Sequence, residues 1–306
     1  MELYFAPLEG LGASTYRNTH KEFFPGCDAY FAPFITPSDI ERVSIRSFRD
    51  VYPDKNPGQN LKIQVLTNKS ESFLKFAEKA KTLGYDEINL NLGCPSGTVI
   101  KKGRGSGFLR EPDALDAFFY EVFSKTDVKV TVKTRTGFYS GKEMEKLMEI
   151  YNKYPISLLI IHPRAREDYY NGEPDMEVFK AAYESSENPV CYNGNVFSVS
   201  DYQRIISEFP KLHSVMLGRG AVKNPAIFRE IKGGKPLETK ERIAFTKALA
   251  AKYYEILKSE SYTVNKLKEI WIYNMWDFPE EKKVLKAIKK SKTINDFINA
   301  INGLPH

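Results

Sequence analysis

Cys94 stands in the segment NLGCPSG, between a glycine that allows close approach and a proline that stiffens the backbone. A thiol fixed in this way can face a bound molecule instead of filling a core. Cys27 and Cys191 have no such setting and read as small core residues. The three cysteines show neither the paired spacing of a zinc site nor a disulfide framework. A reduced, cytoplasmic protein without metal is expected. Lys133, after the apolar run VTV, is a second candidate, because an ammonium in a strand covered on both faces needs a partner for its charge. The third is Gly218-Arg219-Gly220. Its glycines expose backbone N–H groups, and its guanidinium can fork onto phosphate oxygens.

These groups need a frame. Short apolar runs at Leu3–Phe5, Ala29–Phe31, Leu61–Val65, Glu87–Leu90, Val128–Lys133, Leu158–Ile161, Val190–Tyr192 and Ser214–Leu217 read as strands. Amphipathic helical patterns separate most of them. In NKSESFLKFAEKAKTLG, Ser70 is expected to cap, Phe73, Leu74, Phe76, Ala77, Ala80 and Leu83 form one face, and Gly84 ends the helix. Pro112 suits a first helical turn, and Pro210 closes a helix opened by serines. Eight strands alternating with helices predict an α/β fold, a (β/α)8 TIM barrel. A doubly wound sheet would need a Gly-rich phosphate turn after its first strand, and APLEGLG does not supply one.

Barrel chemistry sits at the C-terminal strand ends. Read in order, those ends carry Pro7 and Leu8, then Gln64, Asn91 with Cys94, Lys133 with Arg135, His162 with Arg164 and Arg166, Asn193 with Gly194 and Asn195, and Gly218 with Arg219. Taken singly, Gln64 and His162 also fit core roles. The loops after strands 7 and 8 are the usual barrel phosphate site, and YNGN and LGRG fall there. The pattern reads as a phosphorylated cofactor lined by a lysine and amides, with a thiol facing it. Flavin mononucleotide, FMN, fits this better than a bare sugar phosphate.

Length and charge set the remaining limits. The 306 residues are 42% hydrophobic, enough for one large domain and a small one. Neither a membrane span nor a signal peptide is expected. Residues 232–306 hold 15 Lys+Arg against 9 Asp+Glu, so the net charge of +6 lies entirely in the last quarter. That asymmetry suggests an acidic partner, most commonly nucleic acid, although a solvated lysine face fits as well. KGGKPLETKER reads as a linker between a barrel domain, 1–234, and a small all-α helical bundle, 235–306. Both Trp271 and Trp276 are expected in the core of that bundle.

The segments APLEG, IQVLTN, NLGCPSGTVIKKGRGSGFLREP, VKTRTG, IHPRAREDYYNG, NGNV and LGRGAVKNPAIF come in the order and spacing of the tRNA-dihydrouridine synthases. The resemblance covers about residues 3–231. APLEG looks most like the bacterial branch that modifies the D-loop. The resemblance implies reduction of the C5–C6 double bond of particular uridines in tRNA, with FMN recharged by NADPH. By position it implies that Pro7, Leu8, Gln64, Asn91, Lys133, His162, Asn193, Gly194, Asn195, Gly218 and Arg219 hold the flavin. It makes Cys94 the acid. Pro163, Asn195 and Ile100 depart from residues usual in the family, which are glycine, often aspartate, and in many members asparagine.

Uracil reduction adds hydride at C6 and a proton at C5, so an acid must face the flavin across the base. A thiol of ordinary pKa, about 8.5, is mostly protonated at neutral pH and can serve. The target uridine must leave its stack. Asn91, Arg135, Arg164 and Arg166 are candidate substrate contacts. Lys101, Lys102 and Arg104, in the loop IKKGRGSG, are expected to close over the base and clamp the backbone. Two alternatives stand beside this reading. One is an FMN barrel acting on a free pyrimidine or other small molecule. The other is a tRNA-binding folding factor with a vestigial flavin site. A monomer is the default expectation.

Overall fold

The computed structural model describes residues 1–37 and 48–305. Eight parallel strands close into a barrel in sequence order. They are β1 (Glu2–Phe5), β2 (Ala29–Phe31), β3 (Leu61–Val65), β4 (Glu87–Leu92), β5 (Lys129–Arg135), β6 (Leu158–His162), β7 (Val190–Tyr192) and β8 (Ser214–Leu217). The eight strand runs of the sequence all form strands, and β4, β5 and β6 reach one or two residues further at the C-terminal end. That extension carries Asn91, Arg135 and His162 in sheet register: Asn91 lies opposite Lys133, and Arg135 opposite His162.

Helices cover the barrel: α1 (Ser14–Phe23), α2 (Ser70–Thr82), α3 (Gly97–Ile100), α4 (Pro112–Lys125), α5 (Met144–Tyr151), α6 (Met176–Ser185), α7 (Val199–Glu208), α8 (Arg219–Lys223) and α9 (Ile227–Ile231). Four more follow: α10 (Thr239–Leu257), α11 (Glu260–Asn274), α12 (Lys282–Lys290) and α13 (Ile294–Ile301). Pro112 opens α4, and Ser198 caps α7 by accepting from the Asp201 N–H. Ser70 does not cap α2. It is the first helical residue, and Lys69 holds the cap position, where the Thr67 hydroxyl accepts from its N–H.

Outward strand residues such as Ile88, Leu90 and Leu92 join the helices in one apolar core, which continues into α10–α13 through Phe245, Leu249, Leu267 and Trp271. The barrel interior is divided. Tyr4, Ala29, Phe31, Leu158, Ile160, Cys191 and Met216 fill one side with apolar atoms. On the β3–β5 side a buried polar chain runs through Gln64, Asn89, Asn91 and Thr131. The helical region is tied to the barrel by polar contacts as well. Arg242 donates to the Lys223 carbonyl and pairs with Asp277, Asn274 donates to the Val222 carbonyl, and Arg229 pairs with Glu241.

Trp271 is 1% exposed and packs in the core as expected. Trp276 does not: it is 46% exposed, in the turn Met275–Asp277 that ends α11. Met275 faces the core there, so the next side chain is turned outward. No described helix is long and apolar enough to cross a membrane.

Candidate active site

The loop after β4 is set by Asn91. Its Oδ1 accepts from the Gly93 and Cys94 N–H groups at 3.0 and 2.9 Å, and its Nδ2 donates to Gln64 Oε1 at 2.7 Å. Gln64 is fully buried and donates in turn to Asn89. An asparagine oxygen that accepts two and three residues on fixes a tight turn. Two further contacts clamp this turn. Arg135 Nε donates to the Gly93 carbonyl at 2.9 Å, and Ser106 donates to the Cys94 carbonyl through both its N–H and its hydroxyl. Gly105 makes the second clamp possible. Its φ is +56°, and a Cβ there would lie 2.9 Å from the Cys94 oxygen.

Cys94 therefore projects from a braced loop into a cleft of about 710 Å³. Pro7, Leu8, Asn91, Lys133 and Arg219 line the cleft with it. A narrower inner pocket opens from this cleft toward the ends of β6, β7 and β8. His162, Asn193, Gly194 and Gly218 line it, and Pro7, Leu8, Lys133, Tyr170 and Arg219 belong to both spaces.

The charges in this space are unbalanced. Among the described residues no carboxylate pairs with Lys133, and burial, together with the nearby Arg135 charge, pushes its ammonium down to about 8. Burial drives His162 well below its ordinary range, and the Arg135 and Lys133 charges add to this. The imidazole is therefore neutral. Its Nδ1–H donates to the Asn193 carbonyl at 2.6 Å, which leaves Nε2 as an acceptor, 3.4 Å from Arg164 Nη1. Burial raises the Cys94 thiol above its ordinary value. A Ser96 backbone hydrogen bond and the charges of Arg135 and Lys133 oppose that rise, and Glu9 reinforces it. The thiol keeps its proton at neutral pH.

Arg219 is oriented by Asn195, whose Oδ1 accepts from Nη2 at 2.9 Å. Asn193 ties β7 to β8 by donating to the Met216 carbonyl at 2.8 Å. Lys133 and the Arg219 guanidinium, which both line the inner pocket, give the space cationic donors suited to a planar anionic guest.

Other sequence candidates sit elsewhere. Gln64 supports Asn91 from below and lines neither space. Arg164 is 2% exposed and holds the Asn171 and Gly172 carbonyls. Arg166 pairs with Glu167 and lies over the rings of Tyr169 and Phe138. Lys101 and Lys102 are exposed and line neither space. Arg104 is half-buried, and residues 105–107 of the segment IKKGRGSG are buried against the Cys94 loop. The sequence reading missed Tyr170, whose ring lies between the guanidiniums of Arg135 and Arg219 at 5.3 and 5.2 Å. Nothing in the spacing of the segment DYYNG tells that its tyrosines would line the cleft. Ile272, Tyr273 and Trp276, which form the far wall of the cleft, were also missed.

An eight-stranded parallel barrel with an open cleft at the C-terminal strand ends defines the class. The old yellow enzyme of Trypanosoma cruzi shares the fold, with a TM-score of 0.54 at 11% identity over 78% of this chain and 89% of that one. The dihydrouridine synthase (Dus) profile matches residues 4–300, and the chain belongs to that family. A probable tRNA-dihydrouridine synthase 1 of Synechocystis sp. is 27% identical over 229 residues, 74% of this chain and 63% of that relative. The tRNA-dihydrouridine synthase B of Pasteurella multocida is 28% identical over 257 residues, 84% of this chain and 75% of that one. The match to the Vibrio cholerae tRNA-dihydrouridine synthase B reaches 53% of that protein's length.

Proposed function

We propose that this protein reduces uridines of tRNA, in the D-loop, to 5,6-dihydrouridine, with FMN as cofactor and NADPH as reductant. The observation that carries the reading is the braced loop that presents a protonated Cys94 thiol to the same cleft as the unpaired Lys133. Membership of the dihydrouridine synthase family supports it. Bound FMN, once reduced, would supply the hydride to uracil C6. NADPH would recharge it, and the residues of this chain bind and orient the reactants and supply the proton.

Cys94 gives the proton to C5 from the opposite face of the base. Its raised pKa keeps the acid form dominant at neutral pH. Lys133 would supply positive charge to stabilise an anionic reduced cofactor, and Arg219 with the backbone around Gly194 and Gly218 would hold its phosphate. Asn91 sets the thiol's position through the loop, and its second amide hydrogen remains for the cofactor or the uracil.

The exposed lysines of α12, with the rest of residues 235–306, form the docking surface for tRNA. Lys282, Lys283, Lys286, Lys289 and Lys290 all point outward, while Val284 and Ile288 face the core. Folded RNA is read largely by shape and phosphate contacts, which an exposed cationic face supplies. The test is to map dihydrouridine in tRNA from a strain lacking this protein and to restore it with purified enzyme, FMN and NADPH. Unchanged dihydrouridine in that strain, or turnover of free uridine or uracil without RNA, overturns the reading.

A further inference from the structure

The last turn of α11 and the turn Met275–Asp277 that follows it line the cleft into which Cys94 projects. Ile272 and Trp276, four residues apart, lie on one helical face, and Tyr273 packs beside Trp276 with ring centroids 5.4 Å apart. Ile272 is 60% exposed and Trp276 46%. Phe197, from the loop after β7, braces the indole from below at 5.7 Å. Large apolar side chains left exposed on a cleft wall mark a binding surface, and an indole held on one side by rings offers its other face for stacking. Tyr169 and Tyr170 line the same cleft, together with the cations Lys133 and Arg219. An aromatic wall above a cationic floor suits a polyanion with flat bases, and single-stranded nucleic acid is bound by that combination.

We infer that Trp276, supported by Tyr273 and Phe197, stacks on the base of the nucleotide adjacent to the target uridine, and so helps to select which uridine enters. The inference rests on the tRNA reading above and adds a residue outside the strand-end set. A base drawn into the cleft leaves its neighbour at the mouth, where the indole stands. The indole then replaces the stacking that the neighbour loses, and Trp276 is a substrate-positioning residue rather than part of the proton or hydride path.

The test uses the full-length enzyme loaded with FMN and a tRNA whose target position has been mapped. Trp276→Ala is expected to raise KM for tRNA roughly tenfold, and more than it lowers kcat; Trp276→Phe recovers most of the loss. An abasic nucleotide on the 5′ or the 3′ side of the target should cost the wild type a similar factor on one side only. On that side Trp276→Ala should add nothing further, because partners in one contact are not additive. The exposed indole also gives a direct signal: its fluorescence is quenched on tRNA binding in the wild type and in Cys94→Ala, while Trp271 stays shielded. Factors that multiply on both sides, or an unchanged KM in Trp276→Ala, overturn the inference while leaving the tRNA reading intact. A wild-type enzyme that forms no dihydrouridine in tRNA defeats the tRNA reading and this inference with it.

Discussion

Cys94 and Trp276 face one cleft from surroundings that differ in almost every respect. Around Cys94 the backbone carbonyls and amides are matched by buried side chains: Asn91, Arg135 and Ser106 each hold one side of the loop. The neighbouring titratable groups are shifted by burial, and among the described residues no carboxylate pairs with Lys133. Around Trp276 the wall is exposed and braced by ring contacts, and the chain continues into α12, whose lysines are exposed. The first surrounding is organised before any guest arrives, as chemistry requires. The second is adaptable and screened by salt, as docking a large polyanion requires.

Changes at the floor should therefore alter rate and spare affinity, and changes at the wall the reverse. The largest effect is expected for Cys94→Ala. It should keep its yellow flavin and lose uridine reduction by about 10²–10⁴-fold, the usual worth of a general acid. Colourless Cys94→Ala protein would show that the thiol serves folding or cofactor retention. Asn91→Ala should follow, with a loss of about 10²-fold in single-turnover rate, because it frees the Gly93 and Cys94 amides and lets the thiol wander. Its affinity for tRNA should hold, and a loss of affinity instead of rate would erase the distinction between floor and wall.

Replacing Lys282, Lys283, Lys286, Lys289 and Lys290 with glutamine should raise KM for tRNA about tenfold, with single-turnover chemistry spared. It should also flatten the fall in affinity between about 50 and 200 mM salt. Unaltered affinity would remove α12 from the docking surface. The smallest effect concerns Lys133. Its pKa of about 8 in the folded state lies below the ordinary lysine value of about 10.4, so folding disfavours its charge. Below pH 8 that penalty is fully present; between about 8 and 10.4 the unfolded chain binds the extra proton and the penalty fades. Denaturant unfolding of wild type and Lys133→Met, without cofactor, should converge in stability as pH rises through that window. A constant difference would mean that Lys133 has found a charge partner.

The fold was legible because each strand is followed within three residues by glycine, asparagine or proline and the helices between carry clear apolar faces. Cys94, Lys133, His162, Asn193 and Arg219 were legible for the same reason, since strand ends point to one rim. Inwardness was harder. Arg135 and Arg164 look alike beside their strands, yet Arg135 clamps the Cys94 loop and lines the inner pocket, while Arg164 is turned into the loop at Gly172. Loop path decides that, and loop path depends on contacts far apart in sequence. The same holds for residues 100–107. Their charge suggested a lid, but Ser106 is drawn under Cys94 by hydrogen bonds that no local pattern announces. Trp276 escaped because the wall it forms arises only when α11 is laid against α8.

That arrangement carries a mechanical consequence. Helices α10–α13 share one apolar core with the barrel, and Arg242, Asn274 and Arg229 pin the junction with polar contacts. Such a junction favours a fixed caliper, with one jaw at α11 and the other at the Cys94 loop. For the proposed substrate, the bending and unstacking needed to seat a uridine then fall on the RNA. Nucleic acids whose elbow is already loose should be the ones that fit the gauge.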